Sequence, residues 1–424
     1  MKKLSKRTWL TFIIIGLVGQ FAWTIENMYF NVFLYNTIST NPDYIAAMVA
    51  ASGVVATVTA LLMGVLSDKL GRRKVFVCAG YILWGLATMA FGFITTDNVS
   101  ALFPAANATL AAAVTVVVMD CIMTFFGSSA NDAAFNAYIT DVTSSGNRGR
   151  VESVLAILPL ISMLIIFGAF DGMTRDGRWQ EFFTIFGAGV IATGVLAIFL
   201  MKEAPAEKRE EGYLKNVVYG FRPSVIRENP MLYTALAAFG VFSIAVQVFF
   251  PYLIIYIQNY LKIEAYAIVL GAVLLAASLV SVLSGRVIDR VGKLRFTVPA
   301  MAVMLTGLIA MFFVRGFWGV IIAGAVMMSG YMLVTAALSG TIRDYTPEDK
   351  AGLFQGIRMI FQVLLPMIIG PYIGAAVIKN SGETYVELGV TKQVPTPAIF
   401  LAAAAVLVFL IIPVVLLKRR EKVC

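Results

Sequence analysis

The chain of 424 residues contains no histidine and only three cysteines, Cys78, Cys121 and Cys424. Histidine is the commonest proton shuttle and a frequent metal ligand, so its absence removes the usual catalytic base and the usual zinc site. Two of the cysteines lie within apolar runs and the third is the last residue, which predicts neither a disulfide framework nor a metal site. No nucleophile–base pair is evident either. We therefore expect no cofactor, no bound metal and no enzymatic activity.

Charge is also scarce. Charged residues make up only 13% of the chain, about half the usual share, whereas hydrophobic residues make up 59%. A soluble fold of this length cannot bury so much apolar surface, so lipid is the expected solvent for most of the chain. The net charge of +9 comes from short basic clusters between apolar runs. That distribution argues against nucleic-acid binding, which needs a basic face on one domain.

Twelve apolar runs are long enough to cross a bilayer as helices, which requires roughly 20 residues each. The sequence thus predicts an all-α membrane protein with twelve transmembrane helices. The one long polar stretch between runs, 202–228, predicts a linker between an N-terminal half at 1–201 and a C-terminal half at 229–424. The runs are 9–36, 44–66, 75–95, 107–138, 151–171, 180–201, 229–259, 265–284, 296–314, 317–341, 351–378 and 396–417.

Lysine and arginine are unevenly divided between the alternate connections. With a cytoplasmic N-terminus, 26 of the 33 basic residues lie on the cytoplasmic side and 6 on the opposite side. The positive-inside rule therefore predicts that both termini are cytoplasmic, in a plasma or inner membrane. The first run has no small-residue cleavage site, so we expect a retained helix and not a signal peptide.

A short basic segment occurs twice. GVLSDKLGRRK at Gly64–Lys74 is matched by GRVIDRVGKLR at Gly285–Arg295, with a Gly–Asp–Gly spacing at one offset of 221 residues. The second glycine of each copy permits a tight turn between adjacent helices. We expect these segments to form a cytoplasmic gate in which Asp68 braces the start of the eleventh helix and Asp289 the start of the fifth; the alternative is an ordinary basic loop. The gate residues are Asp68, Gly71, Arg72, Arg73, Asp289, Arg290 and Gly292.

A second repeat supports an internal duplication. Asp141 and Thr143, followed by Arg148-Gly149-Arg150, match Asp344 and Thr346, followed by Lys350-Ala351-Gly352, at an offset of 203 residues. With twelve spans, a six-plus-six division and the doubled basic turn, the whole chain resembles the major facilitator superfamily of secondary transporters. The resemblance implies two six-helix bundles of inverted repeats that rock around a site near the midplane. It also implies that helices one, four, seven and ten line the pathway.

A narrower resemblance links helices one and four to the glycoside–pentoside–hexuronide cation symporters and the related sucrose carriers. It depends on Asp120 within Val-Met-Asp-Cys and on a polar first helix. Those carriers often place further acids on helix two for sodium, whereas no carboxylate lies here between Asp43 and Asp68. This departure favours a proton over sodium as the coupling ion. Helix five lacks the glycine–proline-rich motif of drug–proton antiporters, which argues against efflux.

Charged side chains inside a span are functional candidates by default, because they are costly to insert. We expect Glu26, Asp120 and Asp132 to couple transport to a cation, H⁺ or Na⁺, since burial favours the neutral form of an acid. A spacing of about 100° per residue places Asp120, Thr124, Gly127 and Asn131 on one stripe of helix four, with Asp132 about 120° away. The expected substrate-binding residues are Gln20, Trp23, Asn27, Asn131, Gln247, Arg358 and Gln362.

Structural alternatives stay open for several of these residues. The polar stripes can join helices by hydrogen bonds, the tryptophans can be packing residues, and Arg358 can pair with Asp132 or Asp344. We expect a monomeric symporter that takes a small-molecule substrate, a sugar or glycoside, in contact with membrane lipid. The alternatives are a drug or metabolite efflux antiporter, and a membrane sensor that does not transport.

Overall fold

The structure is a computed structural model that describes residues 4–143, 151, 154–203, 219–347, 354–387 and 390–421. Twelve helices in this part of the chain are long and apolar enough to cross a membrane, which confirms the predicted all-α membrane fold. The backbone is described at positions 68 and 289, but the side chains of Asp68 and Asp289 lie outside the described part. Positions 148–150 and 350–352 of the second repeat also lie outside the described residues.

The first six membrane-length helices follow the predicted runs closely. In the fifth run, Val151, Val154 and Leu155 are helical, a turn follows at Ala156 and Ile157, and the membrane-length helix continues from Leu158. Pro159 lies in its first turn, where a missing N–H leaves no hydrogen bond unmade. A short helix, Thr96–Leu102, precedes the fourth. The six helices are α1 (Lys6–Ile38), α2 (Pro42–Leu70), α3 (Arg73–Phe91), α4 (Ala108–Val142), α5 (Leu158–Arg175) and α6 (Trp179–Leu200).

The second six helices are preceded by a short helix, Pro223–Glu228. An antiparallel hairpin of β1 (Thr384–Glu387) and β2 (Val390–Gln393) joins the last two helices, with Thr384 paired to Gln393. The helices are α7 (Pro230–Tyr260), α8 (Tyr266–Val291), α9 (Lys293–Phe313), α10 (Phe317–Tyr345), α11 (Gly356–Ser381) and α12 (Ala398–Glu421).

The doubled basic segment forms the tight turn that the sequence predicts. Gly71, between α2 and α3, has φ 62°, and Gly292, between α8 and α9, has φ 92°. A side chain is strained at these angles, and glycine is not. The expected turns are therefore confirmed, whereas a gate at these turns stays a prediction.

Several helices contain π-helical segments, in which the turn is wider than in an α-helix. A wider turn changes the direction of the side chains that follow it, so a helical wheel drawn at 100° per residue fails across these segments. In the described residues they are Ile25–Tyr29 and Leu34–Ile38 in α1, Ser128–Phe135 in α4, Ile166–Phe170 in α5, Tyr256–Tyr260 in α7 and Ile360–Leu364 in α11.

The chain divides into two compact units. The first unit is Met1–Ser39 with Ala51–Tyr213, and the second unit is Thr40–Ala50 with Leu214–Cys424. The start of α2 therefore groups with the second unit. Each unit contains close backbone contacts at glycine, as expected for membrane helices. A Cβ atom on Gly85 of α3 would lie 2.5 Å from the carbonyl oxygen of Gly187 on α6.

Candidate functional site

Two buried carboxyl groups of the first unit lie near the same hydroxyl side chains. Glu26 belongs to the π-helical segment Ile25–Tyr29 of α1, and Asp120 lies within α4. Their residues are 7% and 2% exposed, respectively. We call Glu26, Asp120, Ser52 and Thr124 the carboxyl cluster, because the two hydroxyl side chains lie against the two acids.

Hydroxyl groups from two other positions bind the carboxylate of Glu26. Ser52 of α2 and Thr124 of α4 each donate a hydrogen bond of 2.9 Å to Glu26 Oε1. The two hydroxyl oxygens lie 3.2 Å apart, and the Asp120 carboxyl lies near both Glu26 and Ser52. Helices α1, α2 and α4 thus meet at one polar cluster inside the first unit.

The carboxyl cluster has acceptors that no donor satisfies. Glu26 Oε2 and Asp120 Oδ1 have no hydrogen-bond partner among the described residues. None of the ion pairs of the described residues includes Glu26 or Asp120. Two buried carboxylates without a cation repel each other and lose hydration, so the arrangement disfavours having both of them charged. A pair of carboxyl groups in this environment is suited to binding and releasing a cation.

Asp132 belongs to a separate polar group, twelve residues beyond Asp120 along α4. Its carboxylate accepts hydrogen bonds from Ser128 at 3.0 Å and from Asn131 at 3.3 Å. The hydroxyl of Tyr81, on α3, lies within hydrogen-bond distance of Asn131 Oδ1 and of the carbonyl of Ile15. The bond from Asn131 to Asp132 joins adjacent residues within the π-helical segment Ser128–Phe135. The predicted separation of about 120° between Asp120 and Asp132 stays a prediction, because a hydrogen bond between neighbouring residues does not test it.

The predicted substrate residues of α1 lie in different environments. Asn27 is exposed, and its amide donates a hydrogen bond of 2.8 Å to the carbonyl of Trp23. Gln20 is half-buried. The ring centroids of Trp23 and Trp84 lie 5.0 Å apart. A Cβ atom on Gly127 would lie 2.8 Å from an atom of Trp84 and 3.2 Å from an atom of Trp23. Trp84 is fully buried, so packing accounts for this residue, although its indole N–H has no described partner.

A cavity of about 280 Å³ lies within the second unit. This volume is just below the range of about 300–1,000 Å³ that is common for sites of drug-sized ligands, so a smaller molecule fits it. The predicted residues Gln247 and Gln362 both line this cavity, from α7 and from the π-helical segment of α11. The complete lining is Phe239, Phe242, Ser243, Val246, Gln247, Tyr331, Thr335 and Gln362.

The lining of this cavity combines aromatic rings with amides and hydroxyls. Phe242 of α7 and Tyr331 of α10 stack, with ring centroids 5.7 Å apart and planes inclined by 24°. Side chains of this kind present flat apolar faces beside hydrogen-bonding groups. The predicted residue Arg358 does not belong to the lining.

The structure contradicts one of the two ion pairs considered for Arg358. Its proposed partner Asp344 instead accepts two hydrogen bonds from Lys293, at 2.6 and 2.7 Å. Arg358 Nε has no hydrogen-bond partner among the described residues. Lys293 follows the turn glycine Gly292 directly and is the first residue of α9. The ion pair therefore joins the start of α9 to Asp344 near the end of α10.

The first unit contains a comparable ion pair at its own basic turn. Arg73 Nε lies 3.1 Å from Asp141 Oδ2, and Arg73 Nη1 donates a hydrogen bond of 2.6 Å to the hydroxyl of Ser67. Arg73 is only 5% exposed, whereas the predicted gate residues Arg72 and Arg290 are exposed. The proposed roles of Asp68 and Asp289 remain predictions, because these side chains lie outside the described part.

Comparison with known families identifies the family of this chain. The model of the Major Facilitator Superfamily matches residues 12–368, and matches again over residues 263–423. The chain belongs to the major facilitator superfamily. Membership places the protein among transporters rather than enzymes.

Solved structures of the superfamily show the same fold at low sequence identity. The nucleoside transporter NupG, in its D323A mutant, aligns with a TM-score of 0.74 and 12% identity over 96% of this chain and 99% of its own. The xylose transporter XylE from E. coli, partially occluded and inward open, aligns with a TM-score of 0.67 and 13% identity over 95% of each chain. A bacterial homologue of the human lysosomal transporter Spinster aligns with a TM-score of 0.65 and 14% identity over 98% of this chain and 97% of its own.

A curated relative is the uncharacterized MFS-type transporter YkuC of Bacillus subtilis (strain 168). It is 26% identical over 103 residues. The match spans about a quarter of the length of this relative and of the present chain.

Several of the site residues lie on the helices that the superfamily resemblance predicts to line the pathway, whereas Ser52 lies on α2 and Gln362 on α11. The two acids of the carboxyl cluster come from α1 and α4, and the stacked rings of the cavity come from α7 and α10. Sequence reasoning missed Ser52, Tyr331 and Thr335, since single hydroxyl residues within apolar runs give no signal, and it placed Thr124 on the stripe of Asp120 without a role. It assigned no partner to Asp141 and considered Arg358 instead of Lys293 for Asp344, although the second repeat marks both positions.

Proposed function

We propose that the protein is a secondary transporter that couples uptake of a sugar or glycoside to protons by alternating access. The observation that carries this proposal is the carboxyl cluster, in which two buried acids have no cation and one unsatisfied oxygen each. A group of this kind has no evident use in packing, because a buried carboxylate without a counter-charge destabilises a fold.

The coupling step is assigned to Glu26 and Asp120. Proton binding neutralises a carboxyl group and turns one acceptor into a donor. A donor on Glu26 can satisfy an acceptor that now has no partner, so protonation changes which hydrogen bonds the cluster can make. The proposal is that α1, α2 and α4 pack differently in the protonated and deprotonated states, which links proton binding to reorientation of the carrier.

The substrate class is assigned from the cavity of the second unit. Two glutamine amides and the hydroxyls of Ser243, Tyr331 and Thr335 can bind the hydroxyls of a sugar, while the aromatic rings can contact the apolar face of a pyranose. The size of the cavity, about 280 Å³, favours a small sugar or glycoside over a large drug.

Nucleosides are a second candidate substrate. The stacked pair Phe242–Tyr331 offers a flat aromatic surface to a base, and the amide of Gln247 or Gln362 can bind its edge. Of the structural neighbours, NupG is described as a nucleoside transporter and XylE as a xylose transporter. The low identity to both leaves the choice to experiment.

The substrate is tested by uptake into right-side-out proteoliposomes. A panel of labelled monosaccharides, glycosides and nucleosides is offered with an inward pH gradient, then with an inward Na⁺ gradient. We expect proton-driven accumulation of one sugar or glycoside. Accumulation driven by Na⁺ alone would reject proton coupling, and proton-driven extrusion of the substrate would indicate an efflux antiporter. Binding without transport would indicate a sensor.

The binding site is tested with Gln247→Ala and Gln362→Ala. Each removes one amide from the cavity, and the loss of one hydrogen bond at about 0.5–1.5 kcal/mol predicts a KM increase of roughly 2- to 13-fold. Gln180→Ala, which alters an exposed glutamine of α6, serves as the matched control. A KM unchanged in both cavity variants would place the substrate elsewhere.

A further inference from the structure

An open groove of about 760 Å³ lies on the surface of the second unit, apart from the cavity. Two stripes of side chains form it, one on α7 and one on α12, and the short helix Pro223–Glu228 closes one end. Large apolar side chains are exposed along it: Phe409 is 61% exposed and Ile412 is 58% exposed. The lining is Ile226, Arg227, Pro230, Tyr233, Thr234, Ala237, Val241, Phe409, Ile412, Pro413, Leu416 and Arg420.

The length of the groove matches one leaflet of a bilayer. From Phe409 to Arg420 the α12 stripe covers 11 steps along the chain, or about 16 Å at 1.5 Å per residue. The hydrocarbon core of a bilayer is about 30 Å thick, so about half of it corresponds to one layer of acyl chains. The small side chains of Ala237 and Thr234 on α7 leave room beside the larger groups of α12.

Charge is confined to one end of this groove. Among the described residues that line it, the charged ones are Arg227, just before α7, and Arg420, at the end of α12. Because α7 begins where α12 ends, both arginines lie at the same end of the two helices. Arg420 Nη1 lies 3.3 Å from the hydroxyl of Thr234, which holds the guanidinium against the groove. Arginine binds phosphate through several N–H donors in a fixed plane.

We propose that this groove binds an anionic phospholipid, with an acyl chain along α7 and α12 and the phosphate between Arg227 and Arg420. The apolar length, the single-sign charge at one end and the position beside a bilayer headgroup layer together fit this occupant. Zwitterionic lipids carry a cationic group that meets the two arginines unfavourably, so the groove discriminates by headgroup. The inference is independent of the sugar, since the groove shares no residue with the cavity.

The test measures lipid binding by native mass spectrometry on the full-length protein in detergent. The probes are dioleoyl phosphatidylglycerol, dioleoyl phosphatidylcholine and free glycerol 3-phosphate. We expect phosphatidylglycerol to bind more tightly than phosphatidylcholine, and the double variant Arg227→Gln/Arg420→Gln to weaken it about thirty-fold. That factor corresponds to about 1 kcal/mol for each basic residue at an anionic surface. Ala237→Leu, which narrows the groove, should weaken binding of the lipid without removing charge.

A matched control removes the same charge outside the groove. Arg222→Gln/Arg419→Gln changes two nearby exposed arginines that do not line it, and should leave phosphatidylglycerol binding within about twofold of the wild type. Equal losses in both double variants, or equal binding of the two lipids, would overturn the proposal. Competition by glycerol 3-phosphate as strong as that of the lipid would assign the arginines to a free phosphate. A shift of the wild type to dimers that Ala237→Leu abolishes would assign the groove to a second copy of the chain.

Discussion

Replacing Glu26 by glutamine should raise stability while it removes coupling. Glu26 Oε1 accepts hydrogen bonds from Ser52 and Thr124, whereas Oε2 is buried and has no described donor. A buried acceptor without a partner costs about 1–3 kcal/mol, and a charged one costs more. Glutamine keeps the accepting oxygen and replaces the other with an amide that donates. We therefore expect the free energy of unfolding of Glu26→Gln to rise by about 1–3 kcal/mol at neutral pH.

The same variant should lose concentrative uptake. One pH unit stores 1.36 kcal/mol per proton, so a gradient of two units supports accumulation of at most about a hundredfold with one proton per substrate and no membrane potential. We expect the wild type to accumulate substrate under these conditions. Glu26→Gln, which cannot release a proton at this position, should only equilibrate substrate across the membrane. Exchange of labelled for unlabelled substrate at equal pH should continue.

Both measurements use the same purified protein, with thermal unfolding in detergent and uptake in liposomes clamped at zero potential. Asp97→Asn, which neutralises an exposed carboxylate in the short helix Thr96–Leu102, is the matched control and should change neither quantity. If Glu26→Gln accumulates substrate as the wild type does, the coupling role is refuted. If it loses more than about 1 kcal/mol of stability, the account of its unsatisfied oxygen is wrong.

Further predictions concern helix packing and the basic turns. A Cβ on Gly307 would overlap the backbone of Met327, so Gly307→Ala should destabilise the protein by about 1–3 kcal/mol. Gly189→Ala, with open space around its Cβ, should be neutral or gain up to about 1 kcal/mol; thermal unfolding compares the two, and equal effects would contradict the close contact. The side chains of Lys293 and Asp344 are 33% and 53% exposed, so Asp344→Asn should change stability by less than about 1 kcal/mol. If this turn acts in gating, the uptake rate of that variant should still fall, and an unchanged rate would remove Asp344 from the gate.

Much of the fold could be predicted from sequence because its main signals are local. The hydropathy of each apolar run is enough to predict that it crosses the membrane. A glycine in a short basic segment is enough to predict a tight turn, as the positive φ angles of Gly71 and Gly292 show. The fifth helix illustrates the limit of such signals, since its apolar run gave no sign of the turn at Ala156 and Ile157 that separates Leu155 from the helix beginning at Leu158.

The site could be predicted only in part. Glu26 and Asp120 were identifiable because charge inside a span is rare and costly. Ser52 was not, because a hydroxyl residue in an apolar helix commonly bonds its own backbone; Thr124 was placed on the stripe of Asp120, but its bond to Glu26 was not predicted. The hydrogen bond from Asn131 to Asp132 was not predicted from the helical wheel, which assumes a constant turn, whereas the π-helical segment Ser128–Phe135 has a wider one.

The doubled basic turn shows where local and tertiary information separate. The sequence correctly predicted twelve spans and the glycine turns at Gly71 and Gly292, since these depend on hydropathy and backbone freedom at single positions. The partners of charged groups were decided by packing, which brought Asp141 to Arg73 and Asp344 to Lys293. A hydrogen bond or an ion pair needs two groups within about 3 Å. Residues that lie 51 and 68 positions apart come that close only when their helices are packed together.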